Sequence, residues 1–115
     1  MASTFRNVLA SGLGTTPTTV LTTGVTAKTT VIGLSLTNTT IGIVLASIRI
    51  VDPNGAGPGS ETSAYYIKDI PVPPNQSLRV INGGEKLILG SSVNMIITTS
   101  NDSSLDLVMS FVELT

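Results

Sequence analysis

Leu105-Asp106-Leu107-Val108-Met109-Ser110-Phe111-Val112 sets a large apolar side chain at every second position. Successive side chains of an extended chain point to opposite sides. Leu105, Leu107, Met109 and Phe111 therefore share one face, and Asp106, Val108, Ser110 and Val112 share the other. Helical spacing would scatter the first set around a cylinder, so the run predicts a half-buried strand.

The same period of two recurs upstream. Val93, Met95 and Ile97 alternate with Asn94, Ile96 and Thr98, and Asn101-Asp102-Ser103 supplies a turn before the last run. Leu78 and Val80 alternate with Ser77 and Arg79, and Asn82-Gly83 signals a short-range turn before a strand over 85–89. Thr29 to Asn38 sets Ile32, Leu34 and Leu36 against Ser35 and Thr37, and Thr39-Thr40 turns the chain. Ile43 to Asp52 is apolar on both faces, which predicts a strand covered on both sides. Asp52-Pro53-Asn54-Gly55 reads as a turn, and Gly55 to Ser63 as an exposed loop. Tyr65 to Ile70 is a strand that Pro71, Pro73 and Pro74 should end. Within it Lys68 and Asp69 are adjacent, so alternation puts them on opposite faces, unpaired. Thr18 to Thr23 is a short strand around Val20 and Leu21.

Before it, Phe5 to Ala10 reads as a weak first strand or arm and Ser11 to Pro17 as a flexible Gly- and Thr-rich stretch, so Met1 to Pro17 is taken together as an N-terminal arm with the apolar hooks Phe5, Val8 and Leu9. The expected organisation is thus an arm over 1–17 and one domain over 18–115. Eight or nine short strands and no helical segment predict an all-β antiparallel sandwich, the jelly roll among its forms.

Composition narrows function. Only 11% of residues are charged, where ordinary globular chains carry about a quarter. Threonine, stiff and suited to pleated surfaces, takes the polar role. The basic residues Arg6, Lys28, Arg49, Lys68, Arg79 and Lys86 are scattered singly around a net charge of −1, which leaves nucleic acid and anionic membrane without a basic patch. The uncharged span between Lys28 and Arg49 has a polar centre at Ser35 and Thr37 to Thr40, so it reads as two strands and a turn rather than a membrane crossing, in a soluble chain. No secretory leader is expected in Met1 to Gly12.

With no histidine and no cysteine, the commonest general base, the thiol nucleophile and the usual zinc ligands are missing. The acids Asp52, Glu61, Asp69, Glu85, Asp102, Asp106 and Glu113 are spread over turns, a loop and strand faces, without the facing pair that carboxylate catalysis needs. Asp52 and Asp102 read as turn residues bonding nearby backbone. Asp52 to Gly55 has too few oxygens for calcium, and Gly55 to Gly59 lacks the helix of a phosphate cradle. The expectation is no enzyme, no metal and no cofactor. Of the four aromatics, Phe5, Tyr65, Tyr66 and Phe111, one tyrosine should pack in the core and the other cover an edge or a contact.

A chain this apolar and this short exposes patches that self-association would bury. The candidate contact residues are Phe5, Val8 and Leu9 on the arm, with Ile43, Leu45, Ile48 and Ile97 from strands apolar on both sides.

Tyr65-Tyr66-Ile67-Lys68-Asp69-Ile70-Pro71-Val72-Pro73, Ser77-Leu78, Gly84-Glu85-Lys86-Leu87-Ile88-Leu89 and Leu107 to Leu114 together resemble small virion structural proteins of tailed bacteriophages. Ala27-Lys28-Thr29-Thr30-Val31 and Leu36-Thr37-Asn38 extend the resemblance, which runs from about Val20 to the C-terminus and departs at Thr22-Thr23-Gly24-Val25. It implies a β-sandwich in the virion, most simply a capsid decoration or cement subunit. The partners it implies are copies of itself, as a homotrimer, and the major capsid protein or other virion proteins. A tail, neck or fibre component is the alternative within the class, and a lectin-like ligand-binding module the alternative outside it.

Overall fold

The computed structural model describes residues 3–55, 58, 62–81 and 86–115. They form nine strands: β1 Ser3–Leu13, β2 Thr18–Thr22, β3 Lys28–Asn38, β4 Val44–Val51, β5 Ser63–Val72, β6 Ser77–Ile81, β7 Leu87–Leu89, β8 Asn94–Thr99 and β9 Leu105–Leu114. One sheet runs β1-β9-β3-β6, with β7 also on β3, and the other runs β2-β8-β4-β5. Every pairing is antiparallel. Strands near the start of the chain thus alternate with strands near its end in both sheets, which is the order of a jelly roll.

Alternation explains the core. Leu105, Leu107, Met109 and Phe111 of β9 meet Val44, Ala46 and Ile48 of β4 and Met95 and Ile97 of β8 in one buried cluster, joined by Val31, Leu34 and Leu36 of β3. Each fully buried Leu or Ile contributes about 1.5–3 kcal/mol. Ile48 and Ile97 are direct cross-strand partners at its centre.

The expected flexible arm is corrected. Ser3 to Leu13 is the edge strand of the five-stranded sheet, in register with β9 from Ser3 opposite Leu114 to Leu13 opposite Leu105. The Gly- and Thr-rich link after it is also held. Gly12 turns at φ 64° and donates its N–H to Asp106 Oδ1 at 3.0 Å, while Thr99 N donates to Gly14 O at 3.0 Å and Ser104 N to Leu13 O at 3.0 Å. The turn between β8 and β9 supplies hydrogen-bond partners that a free arm would have to find in water.

Three further expectations change. Pro71 does not end β5 but lies inside it, because β5 is the sheet edge and a missing N–H there costs no ladder bond. Lys68 and Asp69 do pair, Nζ to Oδ2 at 3.6 Å. The ladder skips from Ile48 opposite Ile67 to Ala46 opposite Ile70, and Asp69 adopts φ 50° in that bulge, which breaks the alternation that would separate the two. β7 does not form a hairpin with β6. Both lie on β3, β6 along Leu34 to Thr37 and β7 along Thr29 to Val31, so the two continue one edge. The Asn82-Gly83 turn itself lies outside the described residues, as do Glu85, Glu61 and most of the loop over 55–63.

The Asp52 turn forms as expected, Gly55 N donating to Asp52 O at 2.9 Å and Asn54 N to Asp52 Oδ1 at 3.0 Å. Asp102, in contrast, reaches across the chain. Its Oδ1 accepts from Thr15 N at 3.1 Å and Thr15 Oγ1 at 2.6 Å. No helix among the described residues is long and apolar enough to cross a membrane.

Candidate interaction surface

The two sheets turn different faces outward. On the five-stranded sheet a row of register partners crosses four strands: Phe5 of β1 faces Val112 of β9, Val112 faces Thr30 of β3, and Thr30 faces Ile88 of β7. A second row pairs Leu9 with Val108, and Val108 with Ser35. Phe5 is 77% exposed, Leu9 75%, Ile88 73% and Val108 50%. These side chains point away from the core because their strand neighbours point into it, and they leave a strip of apolar positions across the outer face of the sheet, from β1 through β9 to β7. Large apolar side chains aligned on one face mark contact surfaces, whereas singly scattered ones do not.

The four-stranded sheet carries a cleft of about 330 Å³ lined by Leu45, Ser47, Arg49, Tyr65, Lys68 and Asp69 among others. The Lys68 ammonium sits 4.6 Å from the Tyr65 ring centroid and the Arg49 guanidinium 5.7 Å from it, which suits the negative ring face. Ser47 Oγ accepts from Asp69 N at 2.9 Å and donates to Asp69 Oδ1 at 3.3 Å, anchoring the bulge. Arg49 also donates to Ser63 Oγ at 3.0 Å. Ser47, Arg49, Lys68 and Asp69 thus have partners within or beside the cleft, and the Ser47 hydroxyl is committed to holding backbone. Tyr66 packs against the core while Tyr65 lies half exposed in the cleft, the division of roles expected for the pair.

The candidate contact residues do not form one patch. Phe5 and Leu9 lie on the outer strip of the five-stranded sheet. Val8 faces inward and packs against the core. Ile43 is exposed before β4, and Leu45 lines the cleft of the other sheet. Ile48 and Ile97 are fully buried in the core, which removes them as contact residues. Ile88 and Val108 belong to the strip and were missed, because an apolar residue on the polar side of a strand reads as an ordinary irregularity.

Several ionisable groups have structural partners. Arg6 pairs with Glu113 at 3.6 Å. The Asp102 carboxyl is held below the ordinary value of 3.8, first by the Thr15 hydroxyl and then by the Thr15 N–H. Among the described residues no three acidic side chains gather as a metal site would require.

No family model matches the chain, and no curated protein matches it. Its fold is shared with solved structures. A chain of the T13 IBDV viral particle superposes with a TM-score of 0.56 at 9% identity over 96% of this chain. One from infectious bursal disease virus Gx strain does so at 0.58 and 11% over 96%. A chain of the Bacillus endospore appendages, described as disulfide-linked pili, does so at 0.55 and 12% over 98%. The match spans 30% and 32% of the two viral chains but 88% of the pilus chain. The likeness is one of fold.

Proposed function

We propose that this chain is a non-enzymatic structural subunit of a virion that acts by packing against copies of itself and against shell proteins. The observation that carries the proposal is the exposed apolar strip of Phe5, Leu9, Val108 and Ile88 on a jelly roll. The likeness in fold to chains of a viral particle, together with the resemblance to small phage virion proteins, supports placing that surface in a shell. The finer reading is a decoration or cement subunit, in which burial of such strips clamps neighbours together. A homotrimer is the assembly that the resemblance implies.

A fibre or tail component is the second reading. It is favoured by the pilus chain, 88% of which is matched by this one domain, so that a single sandwich of this size builds a filament there. This chain has no cysteine, and its copies would hold together without disulfides.

Cryo-electron microscopy of the particles that contain the chain decides between them. Sandwich density repeated over the shell supports the decoration role, and density confined to a tail or fibre supports the second. Absence from particles, with saturable saccharide binding by the purified protein, would move the assignment to a lectin-like module.

A further inference from the structure

The sandwich has four sheet edges, and three are blocked. β5 carries the Lys68-Asp69 bulge and Pro71, β2 is five residues long with its own bulge, and the remaining edge is divided between β6 and β7. Charges, prolines, bulges and short lengths are the devices by which natural sheets avoid pairing edge to edge. β1 has no proline and no bulge over Ser3 to Ala10, where its register with β9 is unbroken. Its one charge, Arg6, is held by Glu113. Among the described residues its outer edge has no neighbouring strand, which leaves it the least protected of the four and points to use of that edge.

We infer that β1 pairs antiparallel with β1 of a second copy about a two-fold axis at Asn7, joining two five-stranded sheets into one. This rests on the reading of the chain as a self-assembling subunit, and the two-fold contact it assigns is separate from the head-to-tail contacts that would close a trimer.

The occupant follows from self-complementarity. Partners across an antiparallel pair lie on the same face, so a symmetric pairing must be centred on a residue. Centring on Asn7 sets Phe5 opposite Leu9 of the second copy, and Leu9 opposite Phe5. The two most exposed apolar side chains of β1 then cover each other, an aromatic–aliphatic pair of the kind that stabilises sheets. Arg6 falls opposite Val8, and Thr4 opposite Ala10. Centring on Arg6 would instead oppose like charges, which is unfavourable. Centring on Val8 would set Phe5 against Ser11 and Leu9 against Asn7. Of these registers, Asn7 alone sets both hooks against each other, and it uses the stretch that ends where Gly12 turns the strand at φ 64°. The Val112 and Val108 neighbours of Phe5 and Leu9 continue the apolar strip across the joined sheet into each subunit.

The chain has no cysteine, which makes the register directly testable in the full-length protein. Facing Cα atoms in an antiparallel pair are about 4.5 to 5.5 Å apart, within the span a disulfide bridges. Asn7→Cys should therefore cross-link two copies on oxidation. Phe5→Cys alone should not, and Phe5→Cys together with Leu9→Cys should. In sedimentation across a concentration series, the wild type should contain a dimer. Phe5→Lys with Leu9→Lys should sediment as a monomer of unchanged melting temperature. Mixing it with the Phe5→Glu, Leu9→Glu variant should restore the dimer. An oligomer that persists in the lysine variant and does not cross-link through Asn7→Cys overturns the β1 pairing and leaves self-assembly standing through another surface. A wild type that is monomeric throughout overturns both.

Discussion

At the scale of single residues the structure depends on polar side chains that staple segments distant in sequence. Asp102 is the clearest. Its folded-state pKa lies below the ordinary 3.8 because Thr15 donates to it twice. A depressed pKa contributes stability that is complete above the unfolded value and is lost as pH falls from there through the folded one. Wild type and Asp102→Asn should thus differ in melting temperature above pH 3.8 and converge below it, which thermal melts across acid pH would show; parallel curves would mean that the staple is inert. Gly14 sits under the same turn. A Cβ there would meet Asp102 Cα at 3.0 Å and Ser103 N at 3.2 Å, so a larger residue would force the turn backbone to give by a few tenths of an ångström. Asn38 shows a buried polar group fully satisfied: Nδ2 donates to Gly42 O at 2.7 Å and Val72 O at 2.9 Å, and Oδ1 accepts from Thr40 N at 2.8 Å. Thr29 is the opposite case, a buried hydroxyl without a partner among the described residues. An unmade buried hydrogen bond is costly, so Thr29→Val, which keeps the shape and removes the oxygen, should raise stability by about 1 kcal/mol. Urea denaturation measures it, and a loss would show that the hydroxyl is bonded in solution.

At the scale of elements, β1 decides whether the N-terminus belongs to the fold. Read as a loose arm, its removal would leave the domain intact. As observed, removing 1–13 deletes Leu13 from the core, uncovers Val8 and Ala10 contacts and leaves the β9 edge bare. The truncated chain should melt markedly lower and aggregate, measured by light scattering during a thermal ramp; an unchanged melting temperature would restore the arm. Strands that alternate strictly were legible, β8 and β9 above all, because a half-buried strand imposes its period on the sequence. β1 was legible only as a weak strand or arm, since its inward positions Thr4, Arg6, Val8 and Ala10 are mostly small or polar. What makes it a strand is the β9 edge, about a hundred residues away in sequence. The bulge at Asp69 was hidden for a related reason, because Ser47, in another strand, holds it. Of the contact surface, Phe5 and Leu9 could be seen as apolar hooks, but the strip they share with Val108 and Ile88 exists only once β9, β3 and β7 are laid side by side.

At the scale of the whole molecule, the jelly-roll order makes the fold depend on pairs distant in sequence, β1 with β9 and β2 with β8. Closing such long loops is paid for before contacts reward it, so refolding should fall in the slow millisecond-to-second range typical of β-sandwiches, as stopped-flow fluorescence of the tyrosines would record. The same topology separates the residues that hold the subunit together from those that hold subunits to each other. Ile48 and Ile97 face each other at the centre of the core. Truncating either to alanine should cost about 2–5 kcal/mol, a large part of a total stability of roughly 5–15 kcal/mol. Because the two side chains are register partners in one cluster, the double truncation should depart from the sum of the singles. Asp52→Ala touches an exposed turn and should stay within about 0.5 kcal/mol. Phe5→Ala and Leu9→Ala, on the outer strip, should leave unfolding nearly unchanged and weaken association instead. Urea unfolding and sedimentation on the same variants resolve the two effects. If the isoleucine variants kept their stability while Phe5→Ala lost it, the core would be misplaced and the strip would be part of the fold rather than of its contacts.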